Sequence, residues 1–272
     1  MPELPEVETI RRTLEPRVTG KRIERVDVRC RDLRWPIDEH FEQGLMGRTI
    51  RSLARRAKYL LLWLDDDRVW VVHFGMSGRL LFHESETAAG DKHDHVVVFL
   101  DSGASLVFND PRRFGSMSLR EPDDASLFEG VGPEPLDATR FNGAYLFAHG
   151  RRTKRSLKDV LMDQRVVAGL GNIYVNEALF VAGVRPRRAL RRLTRSDCDR
   201  LAESVRAIIS EAIEHRGSTI SDFLDGIGRR GGYQWRRRVY DRAGEPCSVC
   251  ATEIKAVVVG QRSSFYCPQC QR

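Results

Sequence analysis

The chain has 272 residues, 41% hydrophobic and 31% charged, with a net charge of +7 and a pI near 9.3. That length allows two domains with separate cores, and the basic excess fits a polyanionic partner. No apolar run approaches the roughly 18 residues of a membrane span, and MPELPEVETI has neither a basic start nor an apolar signal core, so a cytoplasmic protein is expected.

Within residues 3–15, Val7, Ile10 and Leu14 recur at helical spacing and predict a short helix. Short apolar runs then alternate with turn signals. Tyr59–Leu64, the Asp65–Asp67 turn and Val69–Phe74 predict one hairpin; Val96–Leu100, Asp101–Gly103 and Ser105–Phe108 predict another. Such strands, some apolar on both faces, suit a sandwich or barrel. Pro122, Gly130, Gly132, Pro133 and Pro135 make residues 121–136 a turn-rich connector and the expected domain boundary. Beyond it the pattern turns helical. Leu157, Val160 and Leu161 start one helix, Ala178–Phe180 belongs to another, and residues 167–172 between them are too glycine-rich for a helix interior. A third helix has its start signal at Thr194 or Ser196, with Leu201, Val205, Ile208, Ile209 and Ala212 as its stripe. Residues 226–242 carry six arginines with interleaved aromatics, and Asp241 is their only acid. This stretch is either a solvated loop or a nucleic-acid contact, and the aromatics favour contact.

Four of the six cysteines fall in the last 26 residues. Cys30 and Cys198 stand alone and read as small, buried or half-buried side chains. Cys247-x2-Cys250 and Cys267-x2-Cys270 lie 16 residues apart, the pattern of a tetrahedral four-thiolate zinc site. With all four ligands from protein, the single zinc is structural. Two disulfides or a redox pair are the alternative. Between the knuckles, Ile254–Val259 and Ser264–Tyr266 can pair as a hairpin, with Gly260, Gln261 and Arg262 at its tip.

Proline at position 2 is a small residue that permits removal of Met1 and exposes a secondary amine. An α-amine titrates at about 7.7–8.0, well below lysine at about 10.4, so part of it is free base near neutrality. It can attack a carbonyl-like carbon and form an iminium, with Glu3 beside it moving protons. On the residues alone, a frayed terminus that caps the following helix is the simpler reading.

Seven segments then occur together and in order: MPELPEVE, RRAKYLL (55–61), HFGMSGRL (73–80), KHDH (92–95), NDPRRFG (109–115), GLGNIYVNEALF (169–180) and QRSSFYC (261–267). Over essentially the whole chain the sequence closely resembles the bacterial formamidopyrimidine-DNA glycosylases, of the formamidopyrimidine-DNA glycosylase/endonuclease VIII family. The resemblance implies an α+β, two-domain fold. Its parts are an N-terminal catalytic β-sandwich flanked by helices (1–133), a helix–two-turns–helix DNA-binding domain (134–240) and a four-cysteine zinc finger (241–272), with duplex DNA expected in a basic cleft between domains. It further implies a bifunctional glycosylase/lyase that excises oxidised purines such as 8-oxoguanine and formamidopyrimidines, then performs β,δ-elimination at the abasic site. The expected partner is double-stranded DNA containing oxidised bases or abasic sites, with no membrane, and the enzyme is expected to be monomeric and nucleoid-associated when acting.

By the same resemblance, Pro2 is the nucleophile at C1′, Glu3 the acid that opens the sugar, Lys58 the β-elimination and phosphate lysine, and Arg262 the fingertip arginine of δ-elimination. His73, His93, Lys154 and Asn172 match DNA-contacting positions, and Tyr240 matches a further phosphate contact. Met76, Arg112 and Phe114 match an intercalating triad that fills the space left by a flipped base. Gly75, Gly78 and Gly115 beside them favour exposed loop tips. Gly169 and Gly171 place Asn172 at a helix start, where backbone N–H groups can hold phosphate. The chain departs from the family pattern at Tyr233, Trp235, Arg237 and Ala251. Residues 218–234 should include the loop that covers the flipped base, so these changes bear on substrate choice.

The competing readings are an endonuclease VIII-like enzyme for oxidised pyrimidines, a damaged-DNA-binding protein without chemistry, and an RNA-processing zinc-ribbon protein. PELPEVE and the intact NDPRRFG favour the purine enzyme. Intact Pro2, Glu3, Lys58 and Arg262 argue against a binder, which needs neither a bare secondary amine nor an adjacent acid. Only charge and cysteines support the third.

Overall fold

Strands buried on one or both faces build the first half of the chain. The computed structural model describes residues 1–86, 90–122, 124, 126–219 and 223–272. These divide into two units: Met1–Glu129 with His215–Gln234, and Gly130–Glu214 with Trp235–Arg272. Among the described residues, no helix is long and apolar enough to cross a membrane.

The first unit opens with α1 (Leu4–Val18), followed by β1 (Ile23–Val28), α2 (Phe41–Leu45), β2 (Ile50–Arg56), β3 (Tyr59–Leu64), β4 (Val69–His73), β5 (Arg79–His83), β6 (Asp94–Leu100), β7 (Ser105–Asn109) and β8 (Ser116–Arg120). Two four-stranded antiparallel sheets result, in the orders β1-β6-β7-β5 and β2-β3-β4-β8. Strand residues alternate between faces. Leu60, Leu62 and Leu64 of one sheet and Val96, Val98 and Leu100 of the other enter a shared core with Val7, Ile10 and Leu14 of α1. This is a β-sandwich with a helix on it. Intervening residues are also covered: Leu61, Val69 and Val71 pack with Leu127 and Phe128, and Val97, Phe99 and Val107 form a third cluster. Both expected hairpins are present, as β3–β4 and β6–β7.

The second unit contains α3 (Gly143–Gly150), α4 (Leu157–Met162), α5 (Asn172–Val181) and α6 (Arg195–Glu214), then the hairpin β9 (Lys255–Val259) and β10 (Arg262–Tyr266). The cap of α6 is Thr194: its Oγ1 accepts from Asp197 N–H at 3.1 Å, while Asp197 Oδ2 accepts from Thr194 N–H at 3.1 Å. The predicted stripe Leu201, Val205, Ile208, Ile209 and Ala212 is buried. Helix α3 has no counterpart in the sequence expectations. It starts on Asn142, whose side chain accepts from Tyr145 N–H, and glycines at both ends hide its helical character.

Candidate active site and nucleic-acid interface

In the first unit, a buried polar cap holds the start of the chain. Glu3 is the N-cap of α1 and forms a capping box with Glu6: each side chain accepts from the other's backbone, Glu3 N–H to Glu6 Oε2 at 2.9 Å. Glu6 Oε1 accepts from Ser218 N–H at 2.7 Å, across 212 residues of sequence. Gly217 (φ +72°) lies so close that a Cβ there would sit 2.7 Å from Glu6 Oε1. The backbone on either side of Glu3 is thereby fixed, and Pro2 and Glu3 are both buried. Of the expected lesion-covering loop, residues 220–222 lie outside the described residues.

Lys58 lies in the tight β2–β3 turn, after Ala57 at φ 52°, and is 6% exposed. Arg55 ties this turn to α1, pairing with Glu8 at 3.5 Å and donating to Ala57 O at 3.0 Å. His73 ends β4 opposite Tyr59, their rings 4.8 Å apart. Gly75 N–H donates to His73 Nδ1 at 3.2 Å, which leaves the ring proton on Nε2. Burial, then the positive charges of Lys58 and Arg34, lower the His73 pKa to about 4. Near neutral pH His73 is therefore an uncharged N–H donor.

Met76, Arg112 and Phe114 share a platform built on a buried carboxylate. Asp110 Oδ1 accepts from Ser77 Oγ at 2.6 Å and Arg112 N–H at 3.3 Å, and Oδ2 accepts from Gly115 N–H at 2.7 Å. The Asp110 carbonyl is bound by His95 Nε2 at 2.9 Å. Gly75 presses on the second loop: a Cβ there would lie 2.2 Å from the Phe114 carbonyl carbon. Above this hub Met76 is 45% exposed and Phe114 42%, with the Arg112 guanidinium 4.6 Å from the Phe114 ring centroid. His93 is half-buried beside the hub, its carbonyl accepting from Asp110 N–H at 3.0 Å.

In the second unit, Lys154 is exposed in the α3–α4 loop. Asn172 is the first residue of α5, after Gly171 as N-cap and Gly169 at φ +79°. Gln164 holds this turn, accepting from Gly169 N–H and donating to Leu170 O, both at 2.8 Å. The start of α5 carries the positive end of the helix dipole, which favours an anion there. Glu177 of the same helix is fully buried and accepts from the N–H groups of Arg238, Val239 and Tyr240 at 2.8, 3.0 and 2.8 Å. Burial pushes its carboxyl above the ordinary range, against those N–H groups and Arg238, which pull it down. Tyr240, held this way, packs edge-on to Phe265 at 5.3 Å. The arginine-rich stretch is partly tied down as well: Glu211 of α6 binds Arg236 at 3.1 Å and Arg238 at 2.9 Å, whereas Arg229 and Arg230 are exposed.

The hairpin tip is a two-residue turn with Gly260 at φ +56° and Gln261 at φ +61°. Two left-handed residues define the type I′ turn that suits strand twist. Arg262 opens β10 opposite Val259 and is exposed. Lys158 of α4, 1% exposed, donates to Ser263 O at 2.5 Å and Ser264 Oγ at 2.6 Å.

Cys247, Cys250, Cys267 and Cys270 place their sulfurs within 4.8 Å of one another, and no disulfide forms among them. Sulfur separations of 3.9, 3.4 and 3.4 Å for Cys247–Cys270, Cys250–Cys267 and Cys250–Cys270 exclude covalent pairs. A thiolate tetrahedron around zinc, with Zn–S of about 2.3 Å, has edges of about 3.8 Å, so the donor set fits one structural zinc. Bound there, zinc would be held by all four thiolates and would brace the hairpin.

Sequence reasoning missed Glu6, Ser77, Asp110, Asn176 and Glu177. Glu6 had a local signal in its three-residue spacing from Glu3. The others act on partners far along the chain.

The chain matches family models for the formamidopyrimidine-DNA glycosylase N-terminal domain over residues 1–117, the formamidopyrimidine-DNA glycosylase H2TH domain over 131–224, and a zinc finger found in FPG and IleRS over 244–272. A formamidopyrimidine-DNA glycosylase of Hahella chejuensis is 46% identical over 274 residues, spanning 100% of both chains. Among solved structures, Lactococcus lactis Fpg with an abasic site containing DNA is similar at TM-score 0.92 and 33% identity over 99% of each chain. The wild-type Lactococcus lactis protein with an N7-benzyl-Fapy-dG containing DNA is similar at TM-score 0.91 and 34% identity over 100% of each.

Proposed function

The chain belongs to the formamidopyrimidine-DNA glycosylase family, and from that premise we propose that it is a bifunctional DNA glycosylase/AP lyase of base excision repair, excising oxidised purines through its N-terminal proline. The observation that carries this reading is the buried Pro2–Glu3 pair, fixed by the Glu3–Glu6 capping box at the start of α1. Binding alone has no use for a bare secondary amine beside a buried acid.

Once Met1 is removed, the Pro2 nitrogen attacks C1′ of the damaged nucleotide. The N–C1′ bond forms as the base leaves with its bonding pair and takes up a proton; the Pro2 nitrogen loses its own proton, the C1′–O4′ bond breaks, and the opened sugar remains as an iminium on Pro2. Glu3 donates the proton that opens the sugar. Lys58 assists β-elimination and phosphate binding, and Arg262 serves δ-elimination and the flanking phosphate. His73 binds phosphate through its neutral Nε2–H, an arrangement that avoids placing a third cation beside Lys58 and Arg34. Asn172 grips phosphate together with the α5 N-terminus, and Lys154, His93 and Tyr240 add further DNA contacts. Met76 and Phe114 wedge into the duplex while Arg112 bonds the orphaned base. Flipping costs a few kcal/mol in lost stacking and pairing. The enzyme acts as a monomer in the bacterial cytoplasm, at the nucleoid.

The test uses borohydride on duplexes carrying 8-oxoguanine opposite cytosine or thymine glycol. Wild-type protein is expected to give a covalent adduct and to prefer the 8-oxoguanine duplex. Pro2→Gly should lose at least about 100-fold in both base release and strand cleavage, the scale of a lost catalytic group, while still shifting DNA on a gel. Retained gel shift without adduct in the wild type marks a binder, and thymine glycol preference marks the pyrimidine enzyme.

A further inference from the structure

We propose that Asn176, in the second turn of α5, is a positioning residue that sets the fingertip hairpin in register with the helix start bearing Asn172. The inference rests on the reading of Asn172 and Arg262 given above and adds what holds the two together.

Asn176 is fully buried. Its Oδ1 accepts from Phe265 N–H at 2.8 Å, and its Nδ2 donates to the Asn172 carbonyl at 2.6 Å. A backbone N–H only donates and a carbonyl only accepts, so the amide can lie in one orientation. One planar side chain thus touches the residue that opens α5 and a strand residue three positions beyond Arg262.

The location explains why a side chain is needed. Among the described residues β10 belongs to a two-stranded sheet and pairs with β9 alone, so there its outward-facing N–H groups have no sheet partner. Phe265 N–H is one of these, and it is buried. Left unbonded, it would carry the full desolvation cost of a buried donor. Lys158 holds the neighbouring Ser263 and Ser264 from α4. Its ammonium, on a flexible stem, fixes distance with less control of direction than a planar amide. Removing Asn176 therefore loosens the hairpin without releasing it.

The experiment resolves β- and δ-elimination products in single-turnover reactions of the zinc-loaded full chain on abasic-site duplex. Asn176→Leu is expected to keep about one zinc per chain and the wild-type borohydride adduct yield, yet slow the δ step about five- to tenfold, the scale of one lost buried hydrogen bond. Asn176→Asp keeps the acceptor for Phe265 N–H but loses the donor to the Asn172 carbonyl, so it is expected to recover the δ step in part, to a rate between those of Asn176→Leu and the wild type. A wild-type δ rate in Asn176→Leu, failure of the Asp variant to rescue, or a parallel fall of adduct, δ product and zinc would each overturn the proposal. Arg262→Ala is the control: if it leaves δ-elimination intact, the assignment of Arg262 fails first and the inference falls with it.

Discussion

Two exposed tips, one on each unit, are held by different physics. Met76, Arg112 and Phe114 stand on loops of the sandwich, where the buried Asp110 carboxylate gathers Ser77, Arg112 and Gly115. Arg262 stands on a hairpin whose own apolar support is slight: Phe180, Val239, Cys247, Ile254, Phe265 and Cys267 are the buried members of its cluster, with Tyr240, Cys250 and Cys270 packed against them. The sandwich has a core shared by two sheets and can support a purely hydrogen-bonded platform. The finger is too small for such a core and takes its rigidity from thiolates and zinc. The comparison teaches that presenting a cation at a tip requires either a large core beneath it or a metal within it.

The largest expected effect comes from removing the metal. Structural zinc contributes on the order of 10 kcal/mol to folding of isolated fingers, so a strong chelator or Cys267→Ser should unfold residues 247–270 and abolish δ-elimination. The sandwich should keep its own thermal transition. Loss of both transitions together, followed by circular dichroism with zinc release, would break the contrast.

Next in size is Asp110→Ala, which removes the acceptor for three donors while their buried surroundings remain. The expected cost is about 2–4 kcal/mol of sandwich stability, with DNA affinity falling and zinc content unchanged. Urea denaturation checks this, and a change below about 0.5 kcal/mol would show that the loops hold themselves.

The smallest effect is the titration of His73. Its folded pKa is depressed from 6.5 to about 4, so the unfolded chain binds the extra proton first. Stability from this group is intact above about pH 6.5, declines as pH falls, and levels off below about pH 4. After discounting for its solvent-facing edge the span is of order 1–2 kcal/mol. His73→Gln should flatten this part of the stability–pH curve, and an unchanged slope would mean that other groups carry it.

Much of this was legible in the sequence, and the omissions share a cause. The β3–β4 and β6–β7 hairpins announced themselves because their strands are apolar on both faces. The strands IERVDV, IRSLARR and SMSLR did not, since charged or polar residues on their outer faces interrupt the pattern. The zinc site was readable because metal ligands cluster locally. Hubs are different: Ser77 meets Asp110 across 33 residues, and Asn176 meets Phe265 across 89. No local periodicity records such pairs. Lys58 shows the same limit, because its motif was visible but its burial in a turn was not.

The central claim is that the first residue of the mature chain forms the covalent bond. Peptide mapping by mass spectrometry of the borohydride-trapped adduct tests it directly. The account predicts the reduced sugar on a peptide that begins at Pro2, with Met1 absent. An adduct on Lys58 or another lysine, or full adduct yield from chains that retain Met1, would contradict it.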